Sequence, residues 1–208
     1  MKLKKNVKRL IIILLIIILL CLALVFVPKL FSKKPTIKEA KILKTIDDYG
    51  YVLKDNKSKE YQRLFKDLSD ILTTEDIDEE LYAKKLAEMF IVDFYSLSDK
   101  SSKTDVGGVD IVYPDSLSNF LENAENTFYK YVESDIYDNR TQQLPKVDTV
   151  TIESIEKKPY AYGENIDEDA YSLNVTWTYT NESFTNYQNK ATLVFAHQDK
   201  KLYLVELQ

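Results

Sequence analysis

The stretch "DAYSLNVTWTYTN", residues 169–181, alternates apolar and polar side chains without a slip. Tyr171, Leu173, Val175, Trp177 and Tyr179 fall on one side, and Ser172, Asn174, Thr176, Thr178 and Thr180 on the other. Successive side chains of a β-strand point to opposite faces, so this segment is a strand with one apolar face to cover. Three kinds of cover suit it: a closed core, a ligand cavity, or a partner protein. Burying five such side chains contributes roughly 1.5–3 kcal/mol each, which makes this strand central to the fold.

The same period continues on both sides of it. From Pro145 onward the pattern predicts strands over 147–157, 169–180, 190–197 and 201–207, the last two joined by a short hairpin at "QDKK". "KKPYAYGENIDED" and "NESFTNYQN" read as the other connections. Upstream of Pro145 the period is helical. Tyr61, Leu64, Phe65, Leu68, Ile71 and Leu72 recur at steps of three and four, predicting a helix over 57–72 with Asn56 or Ser58 as its cap. A second helix follows "TTEDIDEE", with Leu81, Leu86, Met89, Phe90, Phe94 and Leu97 as core positions. After the polar linker "SDKSSKTDVGG" a third carries Leu117, Phe120, Leu121, Ala124, Phe128 and Val132 on one face. Helices followed by an antiparallel meander give an α+β domain, about three helices packed on one face of a sheet of about four strands.

The first thirty residues are of another kind. Lys2, Lys4, Lys5, Lys8 and Arg9 precede an uncharged apolar run from Leu10 to Val27, which Pro28 and Lys29 close. As a helix this run spans about 27 Å, close to the roughly 30 Å of bilayer hydrocarbon. It is longer than the apolar core of a secretory signal and lacks a small-residue cleavage site after it, so it reads as a retained anchor. The expected organisation is a basic cytoplasmic tail at 1–9, a transmembrane signal anchor at 10–30, a membrane-proximal tether at 31–56 and a soluble domain at 57–208. Within the tether, "KKPTIKEAKILKTI" (33–46) reads as a polar stretch entering a helix, and "YGYVLKDN" (49–56) as a short strand. Basic residues flank both ends of the span, so charge alone hardly sets its orientation. The short basic tail and the absence of cysteine from the soluble part favour an N-terminus in the cytoplasm and an extracytoplasmic domain.

Charge reverses beyond the collar. Of the 28 Lys and Arg, eight lie within residues 1–36, where no acid occurs; the remainder holds 20 basic against 33 acidic residues, net −13. Nucleic-acid affinity rests on cationic side chains, so no nucleic-acid partner is expected. The expected partners are the lipid bilayer, through residues 10–30, and unidentified membrane or envelope proteins; a homo-oligomer is compatible with the sequence. Abundant Lys, Asn, Ile and Tyr with scarce Gly, Pro and Arg resemble the product of an AT-rich bacterial genome. In such a protein the N-x-S/T sequons at Asn56, Asn139, Asn174 and Asn181 are chance matches.

The inventory of reactive groups is thin. His197, the one histidine, reads as a solvated strand end before the last hairpin. The single cysteine, Cys21, falls in the apolar run, so no zinc site of paired His or Cys is expected. The acids from Glu75 to Glu80 lack the spacing of a calcium loop and read as the acidic first turn of a helix. "GENIDED" (163–169) reads as a solvated loop, and "DVGGVD" (105–110) as a turn without a phosphate-cradling pattern. No catalytic residue, metal ligand or cofactor is assigned. The residues singled out are Tyr171, Trp177 and Tyr179, as the wall of a ligand cavity should the apolar stripe line one.

A short basic tail, one anchor, helices and then long strands: this order resembles the VirB8-like and TcpC-like branch of the NTF2-like superfamily. The resemblance covers residues 57–208 and rests on the helices bearing Leu64/Phe65/Leu68, Leu86/Phe90/Phe94 and Phe120/Ala124/Phe128, then on "YSLNVTWTYT" and "KATLVFAH". It implies a curved sheet around a cone-shaped pocket and a non-enzymatic role in conjugation or secretion assemblies. Enzymes of the wider group place an acid, or an acid with histidine, inside that pocket; no such pair is mapped onto this sequence.

Overall fold

The computed structural model describes residues 40–208. The expected tail and membrane span, and residues 31–39 of the expected tether, lie outside the described residues. Among those residues, no helix is long and apolar enough to cross a membrane.

The described chain is α+β, with three α-helices and a four-stranded antiparallel sheet. A hairpin comes first: β1 (Ile42–Ile46) pairs antiparallel with β2 (Tyr51–Lys54). Gly50, at φ +67°, supplies the left-handed residue of its turn. This hairpin corrects the boundary expected at residue 57. The tether expected over 31–56 ends before β1, because Tyr49, Tyr51 and Leu53 are buried in the main core. The Tyr51 hydroxyl donates to the Leu202 carbonyl at 3.0 Å and lies 2.6 Å from the Tyr82 hydroxyl.

Helix α1 (Lys59–Leu72) is capped by Ser58, whose hydroxyl accepts from Tyr61 N–H. Of the residues the three-and-four spacing names, Tyr61, Leu64, Phe65, Leu68 and Leu72 are buried and Ile71 is partly so; Ser69 is buried beside them. Helix α2 (Glu79–Tyr95) is capped by Asp78, and the acids Glu79 and Glu80 occupy its first turn. It is buried nearly all round from Tyr82 onward. Leu81, expected in the core, is instead 44% exposed, since it sits in the first turn beside the acids. Helix α3 (Leu117–Asn126) is shorter than expected. Thr127 leaves helical geometry at φ −119°, ψ −93°, so Phe128 and Val132 reach the core from a turn beyond its end.

The sheet order is β3-β4-β5-β6, from β3 (Val147–Tyr162), β4 (Asn165–Tyr179), β5 (Lys190–Gln198) and β6 (Lys201–Leu207). The stretch read as the connection "KKPYAYGENIDED" is mostly strand: β3 and β4 continue to a two-residue turn at Gly163-Glu164, with Gly163 at φ +56°. Three register shifts bend β3 along its length. Tyr160 and Tyr162 thereby pack against Ala170, Val194 and Ala196 in a small second cluster on the outer face. The inner face carries Leu173, Val175, Trp177, Leu193 and Phe195 into the main core with α1 and α2. The stripe that opened the sequence therefore faces a closed core along most of its length.

Candidate functional site

The last turn of α2 organises the site. Phe94 stacks on Phe90 at 5.2 Å between ring centres and on Phe128 at 5.8 Å, and Phe120 of α3 tilts against it at 5.3 Å. Tyr95, the next residue, lies 4.2 Å from the Trp177 ring. Aromatic contacts of this kind add about 0.5–1.5 kcal/mol each beyond their buried area, so this end of α2 is held firmly.

Beside this cluster the molecule opens into a cleft of about 480 Å³. One wall is α3 and the turn after it, with Phe120 and Phe128 half buried and Asn119 and Asn123 exposed at the rim. The other wall is the edge of β6, from Leu204 to Gln208. Val112 and Tyr95 form part of its lining. Apolar walls with a few amides at the rim suit a ligand that is largely apolar and carries groups to hydrogen-bond.

The sequence-chosen residues stand behind this cleft. Trp177 is 3% exposed and Tyr171 is also buried, both in the main core, while Tyr179 is half buried and donates to the Gln188 carbonyl at 2.5 Å. None of the three is among the residues lining the cleft. With the Tyr179 hydroxyl turned to Gln188, the buried Trp177 Nε1 has no hydrogen-bond partner among the described residues. The cleft residues Phe94, Phe120 and Phe128 do appear in the helical pattern, but as core positions; nothing in a helical period separates a side chain that faces a cleft from one that faces a sheet.

A second cluster was missed altogether. His197, expected at a solvated strand end, keeps only 21% of its side chain exposed. Its Nδ1 lies 2.8 Å from Asp167 Oδ2, and its Nε2 lies 3.5 Å from Glu79 Oε1. The same Asp167 carboxylate accepts from the His197 backbone N–H at 2.7 Å, and the Tyr171 hydroxyl donates to Glu79 at 3.1 Å. Burial pushes the Asp167 carboxyl up, but the N–H groups of His197 and Asp169 and the imidazole outweigh it, and its pKa is lowered. The array ties the tip of the β3–β4 hairpin to β5 and to the first turn of α2. Among the described residues no group of three or more His, Cys, Asp or Glu side chains is arranged to hold a metal ion.

A third polar cluster is buried. The Asp93 carboxylate accepts from Lys57 Nζ at 2.5 Å, Lys100 Nζ at 2.7 Å and Gly108 N–H at 2.7 Å. Burial alone would raise its pKa; the two ammonium groups more than offset that and hold it at about 2. The adjacent glycines read as a turn are the reason the chain can approach so closely. A Cβ at Gly107 would overlap the Asp93 carbonyl, and one at Gly108, which sits at φ +75°, would strike the Phe90 ring. Buried, and held by three donors from the protein itself, this carboxylate is the centre of a structural clasp.

No family model matches the chain, and no curated protein or solved structure matches it.

Proposed function

We propose that this chain is a single-pass, membrane-anchored bacterial envelope protein whose extracytoplasmic domain binds another protein, within a secretion or conjugation assembly. The observation that carries the reading is the cleft between α3 and β6, walled by Phe94, Phe120 and Phe128 and rimmed by Asn119 and Asn123. The apolar run at 10–27 and its basic flanks support the anchor and the lipid bilayer as its surroundings. Three helices set against a four-stranded antiparallel sheet are compatible with an NTF2-like domain of the VirB8-like or TcpC-like branch. A non-enzymatic role is supported by the way His197 is committed: both ring nitrogens face carboxylates, and the residue is not among those lining the cleft.

The test uses full-length protein in native membranes, crosslinked briefly, solubilised gently and purified for mass spectrometry. A defined set of companions is expected with the native chain and is lost with Asn123→Trp, which fills the rim from an exposed position. A monomer without companions, or companions indifferent to Asn123→Trp, overturns the reading.

A second reading has one observation in its favour. About 480 Å³ lies within the 300–1,000 Å³ usual for small-molecule sites. On that reading a membrane-anchored NTF2-like domain holds a small apolar ligand in the cleft, and native mass spectrometry of the purified protein finds a bound mass that Asn123→Trp removes.

A further inference from the structure

We infer that the cleft takes its partner as an added β-strand: an extended polypeptide segment of another protein pairs with the open edge of β6 at Leu207. This rests on the proposed protein-binding role and names how the partner is held.

The ladder itself exposes the edge. Thr192 and Gln208 exchange both backbone hydrogen bonds, at 2.9 and 3.0 Å. In an antiparallel pair the next residue along is the non-bonded one, so the N–H and C=O of Leu207 point away from β5, toward the cleft it lines. They have no partner among the described residues.

Upstream, the same edge is already used in this way. Leu204 N–H donates to the Ile111 carbonyl at 2.8 Å and Tyr113 N–H to the Leu204 carbonyl at 2.9 Å, with Val112 bridged parallel to Leu204. Further back, Leu202 N–H and C=O are taken by the hydroxyls of Tyr82 and Tyr51. Residues 111–113 are thus the beginning of a fifth strand. It stops at Pro114, which has no N–H and starts a 3₁₀ turn into α3. The place that strand would have continued into is the cleft.

The two outer edges of the sheet are treated differently. Edge strand β3 carries Lys157, Lys158 and Pro159 and is bent by three register shifts, devices that discourage pairing. Val205 to Gln208 carry neither lysine nor proline. The register shift beside Val205 sends that side chain to the outer cluster, and Glu206 accepts there from Tyr160, while Leu207 packs toward the main core. A guest strand therefore meets Phe120 and Phe128 with its inward side chains and the Glu206 carboxylate with its outward ones. The segment it fits alternates apolar with polar or basic residues and has no proline opposite Leu207.

The test places a photoreactive benzoylphenylalanine at Asn126 of the full-length protein, in the cells that make it; Asn126 is exposed at the end of α3 and is not among the residues lining the cleft. Leu207→Pro removes the outward N–H and leaves the ladder to β5 intact, whereas Leu207→Val keeps the N–H. The expected result is an adduct to a distinct protein, retained by Leu207→Val and reduced about tenfold by Leu207→Pro, as for a lost backbone hydrogen bond whose partner is left unsatisfied. An adduct that survives Leu207→Pro overturns strand addition and leaves protein binding standing. No protein adduct with the native chain, or an adduct only to a second copy or to lipid, overturns both. If Leu207→Pro melts the domain, amide exchange of the native chain decides: slowing at Leu207 in the captured complex supports the pairing, and unchanged exchange there overturns it.

Discussion

The rings of Tyr95 and Trp177 lie 4.2 Å apart, one lining the cleft and the other closed in the core behind it. Because Trp177 is the single tryptophan, its emission reports on that wall alone. Native emission is expected in the blue range of buried indole, shifting red in one step on unfolding. Trp177→Ala should cost about 3–5 kcal/mol, the range for large-to-small changes of buried aromatics, measured by urea denaturation. Occupation of the cleft should change the emission through Tyr95 without moving it to the unfolded value.

Asp93→Asn leaves two lysines facing a neutral amide. Breaking a buried ion pair from one side costs about 3–5 kcal/mol, and the loss should appear as a lower urea midpoint with an unchanged slope. The native chain should show the matching pH dependence. The carboxyl has a pKa near 2 in the folded state and about 3.9 in an unfolded chain, so its contribution is fully present above about pH 4. It is lost as pH falls toward 2, and Asp93→Asn should flatten that part of the profile.

Gly108→Ala combines a side chain at positive φ with a collision against Phe90. It should destabilise by more than about 1 kcal/mol, the scale of glycine-to-alanine effects where the conformation is compatible. Gly50→Ala also meets positive φ, but a Cβ there has open space around it, so its cost should be the smaller of the two in thermal melts.

His197→Gln removes the imidazole between Asp167 and Glu79. The hydrogen bond its Nδ1 makes with Asp167 contributes about 1 kcal/mol. The expected effect is local: faster amide exchange over residues 160–170, with little change in α1. Uniform acceleration across the domain would show that the cluster supports the whole fold.

Much of the fold was legible because two periods dominate the chain. The strands at 190–198 and 201–207 and the core faces of α1 and α2 follow directly from spacing. Of the β1–β2 hairpin only the second strand was legible, within "YGYVLKDN"; the first, "ILKTI", is exposed at four of five positions, carries no alternation to see and reads instead as the entry to a helix. The extension of β3 and β4 was hidden by Pro159 and Gly163, which ordinarily end strands; here one lies on an edge and the other makes a two-residue turn. The cleft was legible only as a list of aromatic core candidates. The Asp167–His197–Glu79 array joins residues 30 and more positions apart, and no local pattern connects them.

The Tyr51 hydroxyl meets the Leu202 carbonyl across a separation of 151 residues. The earliest strand pair of the domain is therefore completed by its last strand. A ribosome adding about 5–20 residues per second leaves Tyr49, Tyr51 and Leu53 without their native cover for roughly 8–30 seconds. Contacts of such long range also slow folding, because the loop must close before any of them forms. The hairpin therefore stays an uncovered apolar surface until β6 has been made.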